Sequence, residues 1–255
     1  MLASYNANRR RELDIMVYQK IFKRYEYKYL LTYQQKEELL RYMQDYMKPD
    51  EYGRSTLCNL YFDTSDYLLI RRSIENKVYK EKLRLRTYGR ASSNQDAFIE
   101  LKKKYQKVVY KRRIYTDYQK AFAYLNQKDD LDFHNQVTSE IEYVLSFYPH
   151  LRPSVYLSYE REAFYGKDDH ELRMTFDQNI LWRNQDLDLR SEIYGRPLLK
   201  DNQVLMEIKV GHGIPLWLTR FLTENKIYRT SFSKYGLAYQ TMVKEGELKN
   251  YESVI

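Results

Sequence analysis

The sequence contains a single cysteine, Cys58, among its 255 residues. One thiol excludes both an internal disulfide and a zinc site built on cysteines, so we expect a reducing compartment, the cytoplasm. The four histidines lie far apart and lack the spacing of metal ligands. Residues 1–20 carry Arg9, Arg10 and Arg11 with no apolar stretch behind them, so we expect no secretory signal peptide.

Long apolar runs are also missing. No stretch approaches the roughly 18 apolar residues that a membrane-spanning helix needs, so any contact with a membrane is expected to go through the basic surface or through a partner protein. Only 8 glycines and 5 prolines are present, and there is neither a repeat nor a low-complexity linker. We therefore predict one domain over residues 21–245, between a basic extension at 1–20 and a tail at 246–255.

Basic and aromatic residues are abundant. The chain has 43 Lys and Arg against 35 Asp and Glu, which gives a net charge of +8. Tyrosine occurs 28 times, and 43% of the residues are apolar, enough to fill a core and to exclude a disordered chain. Because tyrosine has an apolar ring and a polar tip, it can line a surface between a core and wet charged groups.

Alternation with a period of two residues is the main secondary-structure signal, and it is typical of strands. In most of the predicted strands an apolar or aromatic face alternates with a charged face, whereas the strand over residues 56–63 adds no cation. Eight strands are predicted, over residues 22–30, 56–63, 78–88, 97–104, 107–115, 154–164, 171–177 and 203–210.

Helices are predicted between the strands. Thr32 and Gln35 form a capping box that begins a helix, which ends before Pro49. Asp117 caps a second, short helix. Two more helices are predicted over residues 132–148 and 215–224.

Short connections indicate how the strands pair. Gln106 alone separates two of them, and so short a link favours antiparallel neighbours. The predicted class is therefore α+β, with a large antiparallel sheet and flanking helices. Eight strands are enough to close into a barrel whose tunnel admits side chains or one slender ligand.

The charged faces of these strands are mainly cationic. If they were the solvated faces of an open sheet with lysines at its edges, we would expect mixed signs. Only three carboxylates, Glu26, Glu100 and Glu207, oppose the cations. The nine cations are Lys28, Arg84, Arg86, Lys102, Lys111, Arg113, Arg161, Arg173 and Lys209.

Such a set predicts a polyanionic ligand. Arginine forks and lysine ammonium groups bind phosphate oxygens, and carboxylates suit Mg²⁺ or Mn²⁺. If the faces point into a closed barrel, the unpaired charges need water or a metal-bridged polyanion, which implies a linear polyphosphate. There is no glycine-rich phosphate loop, so side chains must bind the phosphates. Phosphoryl transfer here would depend on positioning and electrostatics rather than on a protein nucleophile.

Nine motifs, in this order, resemble the VTC domain, the polyphosphate polymerase domain of the vacuolar transporter chaperone complex and of stand-alone bacterial relatives. That family belongs to the CYTH, or triphosphate tunnel metalloenzyme, superfamily. The motifs extend over about residues 22–239. They are Tyr25-Glu26-Tyr27-Lys28-Tyr29, Leu60-Tyr61-Phe62-Asp63, Leu83-Arg84-Leu85-Arg86-Thr87-Tyr88-Gly89, Glu100-Leu101-Lys102, Tyr110-Lys111-Arg112-Arg113, Tyr159-Glu160-Arg161, Leu172-Arg173-Met174, Glu207-Ile208-Lys209 and Phe232-Ser233-Lys234-Tyr235.

The resemblance implies an eight-stranded tunnel that transfers the terminal phosphate of ATP to a growing polyphosphate chain, with Mn²⁺ or Mg²⁺ as cofactor. Glu207 would hold the metal, and Glu26 and Glu100 are further candidate ligands. We assign the catalytic roles to Arg84, Arg86, Arg161 and Lys209. The nucleotide and the product would be bound by Lys28, Arg84, Arg86, Lys102, Lys111, Arg113, Tyr159, Arg161, Arg173 and Lys234.

Two positions depart from the family pattern. Arg24 stands where the Glu-x-Glu-x-Lys signature of the superfamily has its first glutamate, which disfavours a plain triphosphatase. Ser231 stands where some polymerase members have lysine, so one charge that binds the product is expected to be absent.

Two other functions use the same charges. A triphosphatase or polyphosphatase would hold its substrate in the same tunnel and use water as the acceptor. A non-catalytic module would only bind a polyanion. Nucleic acid is the weaker candidate for that polyanion, because the cations alternate with tyrosines on opposite faces, whereas stacking platforms carry both on one surface. We therefore expect ATP and polyphosphate as ligands, and no nucleic acid.

Overall fold

The computed structural model describes residues 25–76, 78–106 and 108–248. Several predicted features lie outside these ranges. They are the basic extension, the first three residues of the predicted strand 22–30, including Arg24, then Lys107 and most of the predicted tail. The long strands are β1 (Tyr25–Thr32), β2 (Met47–Asp63), β3 (Tyr79–Tyr88), β4 (Asp96–Tyr105), β5 (Val108–Asp117), β6 (Arg152–Gly166), β7 (Arg173–Arg183) and β9 (Gln203–Val210). Two-residue strands are β8 (Arg196–Pro197) and β10 (Arg229–Thr230).

The helices begin where capping side chains are available. Thr32 and Gln35 form the predicted capping box, and the Asp117 carboxylate accepts a hydrogen bond from the Lys120 amide at 2.9 Å. The third predicted helix begins later than expected, because Asn135 is its N-cap. The helices are α1 (Tyr33–Tyr42), α2 (Leu68–Glu75), α3 (Tyr118–Leu125), α4 (Gln136–Phe147), α5 (Leu216–Glu224) and α6 (Lys234–Lys244), and a 3₁₀ turn, Met43–Asp45, follows α1.

Helices α2 and α6 are not among the predicted helices. The N-cap of α2 is Tyr67, in the left-handed region at φ 57° and without a capping side-chain hydrogen bond. Its first amide, Leu68 N, donates to Thr64 Oγ1 at 2.9 Å, and the Asp63 carboxylate accepts from Leu69 N at 2.8 Å and from Ile70 N at 3.0 Å. These capping side chains lie three and four residues before Tyr67, so the usual signal of a capping residue directly before a helix is missing, and no helix was predicted over residues 68–75.

The sheet is antiparallel, in the order β10-β1-β9-β7-β6-β2-β3-β4-β5, with β8 paired to β7. Six neighbour steps separate β1 from β4, which is about 29 Å in a flat sheet. Yet the Lys102 ammonium of β4 lies 4.0 Å from the Glu26 carboxylate of β1. The sheet therefore curls until β1 and β4, each next to one end of the sheet, meet through side chains, and we call its concave face the tunnel. The predicted α+β class and antiparallel sheet are confirmed.

Apolar clusters cover the convex face. Helices α2, α3 and α4 pack against β2 to β5 through residues such as Leu85, Ile99 and Tyr118, and α1 and α5 pack against β1, β7 and β9 through Leu39, Met206 and others. With its apolar residues on this face, each strand directs its alternate residues into the tunnel.

Helix α6 packs differently, on the tunnel side. It forms one cluster with tunnel-facing side chains of β2 and β6, among them Tyr61, Val155 and Leu157. The Tyr235 ring of α6 stacks on Tyr61, with ring centres 4.6 Å apart. Its hydroxyl donates to the Asp63 carboxylate at 2.7 Å, so the buried acid that caps α2 also fixes the start of α6. Helix α6 therefore covers one end of the tunnel.

Candidate functional site

Charged side chains from seven strands and from α6 converge in the tunnel. The cations outnumber the carboxylates by ten to four, which leaves a strongly positive interior. The cations are Lys28, Lys82, Arg84, Arg86, Lys102, Lys111, Arg113, Arg161, Lys209 and Lys234, and the carboxylates are Glu26, Glu100, Asp177 and Glu207.

Glu100 is the centre of one group. Strand register places Arg84 of β3 and Arg113 of β5 directly across from it. Arg84 Nε and Nη2 lie 2.8 and 2.6 Å from Glu100 Oε2, Arg113 Nε lies 2.8 Å from Oε1, and Lys111 Nζ lies 2.7 Å from Oε1. Burial alone would raise the pKa of Glu100, but these charges and that of Arg86 hold it far below its ordinary value. Glu100 is therefore an anion that orients cations.

Asp177 is the centre of a second group, and sequence analysis did not assign it a role. Arg161 of β6 lies across from it and binds it through two parallel hydrogen bonds, Nε to Oδ1 at 2.5 Å and Nη2 to Oδ2 at 2.7 Å. Lys234 Nζ of α6 lies 2.5 Å from Oδ2. Burial opposes ionisation, but Lys234 and Arg161 outweigh it and lower the pKa of Asp177. The sequence did give one indication of this role, because Asp177 shares a strand face with Arg173 in the two-residue alternation of β7.

Glu26 and Glu207 form the third acidic group, on neighbouring strands β1 and β9. The Lys28 ammonium lies between them, 3.2 Å from Glu26 and 3.7 Å from Glu207, and donates to the carbonyl of Phe232 at 2.8 Å. Lys234 Nζ is 3.5 Å from Glu207. Burial opposes ionisation here as well, yet Lys234 and Lys28 keep the pKa of Glu207 well below its usual range.

Arg86 and Tyr159 connect the first two groups. Arg86 donates through Nε to Asn59 Oδ1 at 2.8 Å and through Nη2 to the Tyr159 hydroxyl at 3.2 Å. Tyr159 lies between Arg86, Arg161 and Lys234, and Lys234 Nζ is 4.5 Å from the centre of its ring. Burial would raise the pKa of Tyr159, but the three cations lower it. The Tyr159 hydroxyl oxygen accepts from Arg86, and a hydroxyl that accepts can also donate its own hydrogen, for example to a phosphate oxygen.

Lys82 is a tunnel cation that sequence analysis left without a role. Its ammonium donates to Ser233 Oγ at 2.9 Å. Burial and the charges of Lys102 and Lys28 lower its pKa to about 7. Ser233 follows Ser231, the position where some family members carry lysine, by two residues. Lys82 of β3 therefore places a cation beside the segment of residues 231–233.

The remaining predicted cations differ in position. Lys209 is on the tunnel face of β9 across from Glu26, and burial lowers its pKa. Lys102 reaches Glu26 across the seam of the sheet. Arg173, at the first residue of β7, is more than half exposed, and its guanidinium lies 3.6 Å from Asp50. The structure thus brings together the predicted cations except Arg173, because that side chain extends along the sheet to β2.

The predicted metal ligands do not form one group. Among residues 25–76, 78–106 and 108–248, no cluster of three or more His, Cys, Asp or Glu side chains is arranged to hold a metal ion. Glu100 is committed to Arg84, Lys111 and Arg113. Glu26 and Glu207 remain as a carboxylate pair, which fits a Mg²⁺ or Mn²⁺ ion that is bound mainly through substrate phosphates and through one or two carboxylates.

No helix in the described part of the chain has both the length and the apolar character needed to cross a membrane.

Two solved structures illustrate what the fold of this chain is similar to. A candidate adenylate cyclase from Bacillus halodurans has a TM-score of 0.51 and 16% identity, and the match covers 82% of this chain and 92% of that one. A candidate adenylyl cyclase from Hippeastrum, described as having a dominant triphosphatase activity, has a TM-score of 0.47 and 13% identity, with 87% and 95% covered. At such identities the Bacillus halodurans structure is similar in fold alone.

No curated protein matches the chain in sequence. The family model of the VTC domain matches residues 23–243, which is most of the chain. This match confirms the resemblance found in the nine motifs, and the chain belongs to the VTC domain family.

Proposed function

We propose that this protein is a polyphosphate polymerase, which transfers the terminal phosphoryl group of ATP to the end of a polyphosphate chain in the tunnel. The observation that carries the proposal is the continuous series of cations on the concave face, from Arg86 to Lys234. Membership of the VTC family supports an enzyme that acts on polyphosphate or on nucleoside triphosphates. A chain of linked phosphates has enough negative charge to balance the excess of cations in the tunnel.

The reaction needs no protein nucleophile. A terminal oxygen of polyphosphate attacks the γ-phosphorus of ATP and forms the new P–O bond. The bond between that phosphorus and the β-γ bridging oxygen breaks, and ADP leaves with the electron pair. Attacking and leaving oxygens are both anionic, so no proton transfer is required. The two polyanions repel each other, so the protein must align them and neutralise their charge. Cations held in fixed positions can do both.

Carboxylates prepare the arginines for this role. Arg84, Arg113 and Arg161 each direct the Nε–Nη2 edge to an acid, which fixes the plane of the guanidinium. A guanidinium has five N–H donors, so donors remain for phosphate oxygens after that edge is used. Glu100 and Asp177 therefore act as positioning residues, and the arginines contact the phosphates.

Lys209 and the Tyr159 hydroxyl add donors to the same interior, as does Lys234, whose pKa is raised because Asp177 and Glu207 outweigh the effect of burial. A lysine that stays charged at neutral pH suits the site of phosphoryl transfer. Bound Mn²⁺ or Mg²⁺ would supply additional neutralisation of the phosphate oxygens, and Glu26 and Glu207 would hold it.

Product analysis tests the proposal. Purified protein is incubated with ATP and Mn²⁺ or Mg²⁺, and the products are examined by gel electrophoresis and phosphorus NMR. We expect ADP and polyphosphate as products, with one phosphate unit added to polyphosphate for each ADP released. Orthophosphate as the sole phosphate product would refute the polymerase and identify a hydrolase, and binding without turnover would identify a polyanion-binding module.

Arg112 and Arg113 provide a matched pair of variants. They are consecutive on β5 and face opposite sides: Arg113 reaches Glu100 in the tunnel, whereas Arg112 Nε binds Glu140 of α4 on the convex side at 2.8 and 2.9 Å. We expect Arg113→Ala to lower kcat/KM at least tenfold, since one well-placed donor is worth roughly 3 kcal/mol of barrier. Arg112→Ala is the control. Equal effects of the two variants would exclude the tunnel as the site.

A further inference from the structure

We propose that three aromatic side chains at one end of the tunnel, Tyr88, Phe98 and Tyr115, bind the nucleobase of the phosphoryl donor. We call them the aromatic cluster. This inference rests on the proposed function and deepens it, because it assigns a place to the part of the substrate that the cations cannot bind. It also fixes the direction in which the nucleotide lies.

The aromatic cluster is on the tunnel face. Phe98 lies directly across from Arg86 of β3 and from Tyr115 of β5, and cross-strand partners project to the same side of a sheet. Tyr88 follows Arg86 by two residues and shares its face. Ring centres of Phe98 and Tyr115 are 5.5 Å apart, and those of Phe98 and Tyr88 are 5.9 Å apart, nearly perpendicular. The three rings thus form one continuous surface.

Cations adjoin this surface. The Arg113 guanidinium carbon lies 4.6 Å from the centre of the Phe98 ring. Arg86, opposite Phe98, is directed to Tyr159 in the interior. An aromatic base on the aromatic cluster would thus have two guanidinium groups beside it, which could bind the phosphates of the same nucleotide.

The side chains of β3 change character along the tunnel. From the end covered by α6, the tunnel face of β3 presents Lys82, then Arg84 and Arg86, and then Tyr88. Alternate residues are about 7 Å apart along a strand, so Tyr88 lies about 20 Å from Lys82. A nucleoside triphosphate with its base on the aromatic cluster would therefore point its phosphates past the arginines and towards Lys82 and α6.

Exposure distinguishes the aromatic cluster from the other tunnel aromatics. Tyr61 and Tyr159 are 7% and 4% exposed, and their hydroxyls are bonded to arginines. Tyr88 and Tyr115 are 48% and 38% exposed, so their rings are accessible from the opening. A bare polyphosphate chain has no apolar surface for such rings. A nucleobase has one, and stacking on aromatic side chains is the usual way in which proteins bind it.

Calorimetric titration of the full chain with two probes tests this inference. The probes are the β,γ-imido analogue of ATP, which has a base, and inorganic tripolyphosphate, which has none, both in the same Mg²⁺ buffer. We expect Phe98→Ala to weaken binding of the ATP analogue about tenfold, in line with the loss of one stacked base, and to change tripolyphosphate binding by less than twofold. Tyr143→Ala, an exposed aromatic of α4 outside the tunnel, is the matched control.

Phe98→Leu keeps the apolar volume and removes the ring, so it separates stacking from a folding defect. We expect it to lose affinity for the ATP analogue as Phe98→Ala does. Equal weakening for both probes, or unchanged affinity for the ATP analogue in both Phe98 variants, would overturn the inference.

The titration measures binding and not turnover, so the two proposals can fail separately. A chain that makes no polyphosphate but loses affinity for the ATP analogue through Phe98→Leu refutes the polymerase and supports the base site. If the chain makes polyphosphate and Phe98→Leu leaves the KM for ATP unchanged, the polymerase is supported and the base site is refuted.

Discussion

Replacement of Asp177 by asparagine tests the electrostatic design of the tunnel most directly. Asp177 is fully buried and binds Arg161 and Lys234 at 2.5 to 2.7 Å. The asparagine side chain keeps the shape but removes the charge, and it leaves two buried cations with Glu207 as their nearest acid, at 3.8 and 3.5 Å. Breaking a buried pair in this way costs about 3–5 kcal/mol. We therefore expect Asp177→Asn to lower the free energy of unfolding by about that amount.

A polyanion should reverse the loss. The variant tunnel carries one more net positive charge, and phosphate oxygens can replace the missing carboxylate beside Arg161 and Lys234. Urea denaturation with and without tripolyphosphate measures both effects, because a ligand that binds only the folded state adds RT ln(1 + [L]/Kd) to its stability. We expect tripolyphosphate to stabilise Asp177→Asn more than the unmodified protein.

The control is Asp132→Asn, at a carboxylate that is 74% exposed and paired with Lys120 on the surface. We expect an unchanged denaturation midpoint there. A loss below about 1 kcal/mol in Asp177→Asn would show that Asp177 is not the counter-charge of Arg161 and Lys234. Equal stabilisation of variant and parent by tripolyphosphate would show that these cations do not contact phosphate.

Three further predictions follow from the same groups. Because the pKa of Lys82 is about 7, it loses charge as the pH rises from 6 to 8, and we expect tripolyphosphate affinity to fall more steeply with pH in the parent than in Lys82→Arg; identical profiles in isothermal titration would contradict this. Tyr235→Phe removes the hydroxyl bound to buried Asp63, so we expect about 2 kcal/mol lower stability by urea denaturation and a raised KM for ATP, because Tyr235 holds the start of α6; an unchanged KM would exclude that positioning role. Glu207→Gln should raise the Mn²⁺ midpoint of activity several-fold, whereas Glu100→Gln should lower stability and leave that midpoint in place; the opposite outcome would reverse their roles.

The eight long strands and most of the tunnel cations were predictable from sequence. Alternation along Val78 to Tyr88 assigns Arg84 and Arg86 to one face and Leu83 and Leu85 to the other, because the two-residue period of a strand is a local property of the backbone. The capping box at Thr32 was likewise readable, since its donors and acceptors lie within four residues. The VTC family could be identified from nine short motifs in order.

Roles that depend on distant partners were not predictable. Glu100 looked like a metal ligand, but neighbouring strands place Arg84 and Arg113 on its two oxygens and make it a counter-charge. Asp177 looked like one more alternating acid, and only the approach of Lys234 from α6 and of Arg161 from β6 makes it central.

The order of residue types along the chain is enough to show which side of most strands is charged, that cations are in excess, and that the chain belongs to the VTC family. Tertiary structure alone decided which charges pair, that α6 covers one end of the tunnel, and that three aromatic rings adjoin the arginines at the strand ends away from α6. The physical reason is that the alternation of side chains is fixed within each strand, whereas strand register and the curl of the sheet arise from packing between segments far apart in the chain.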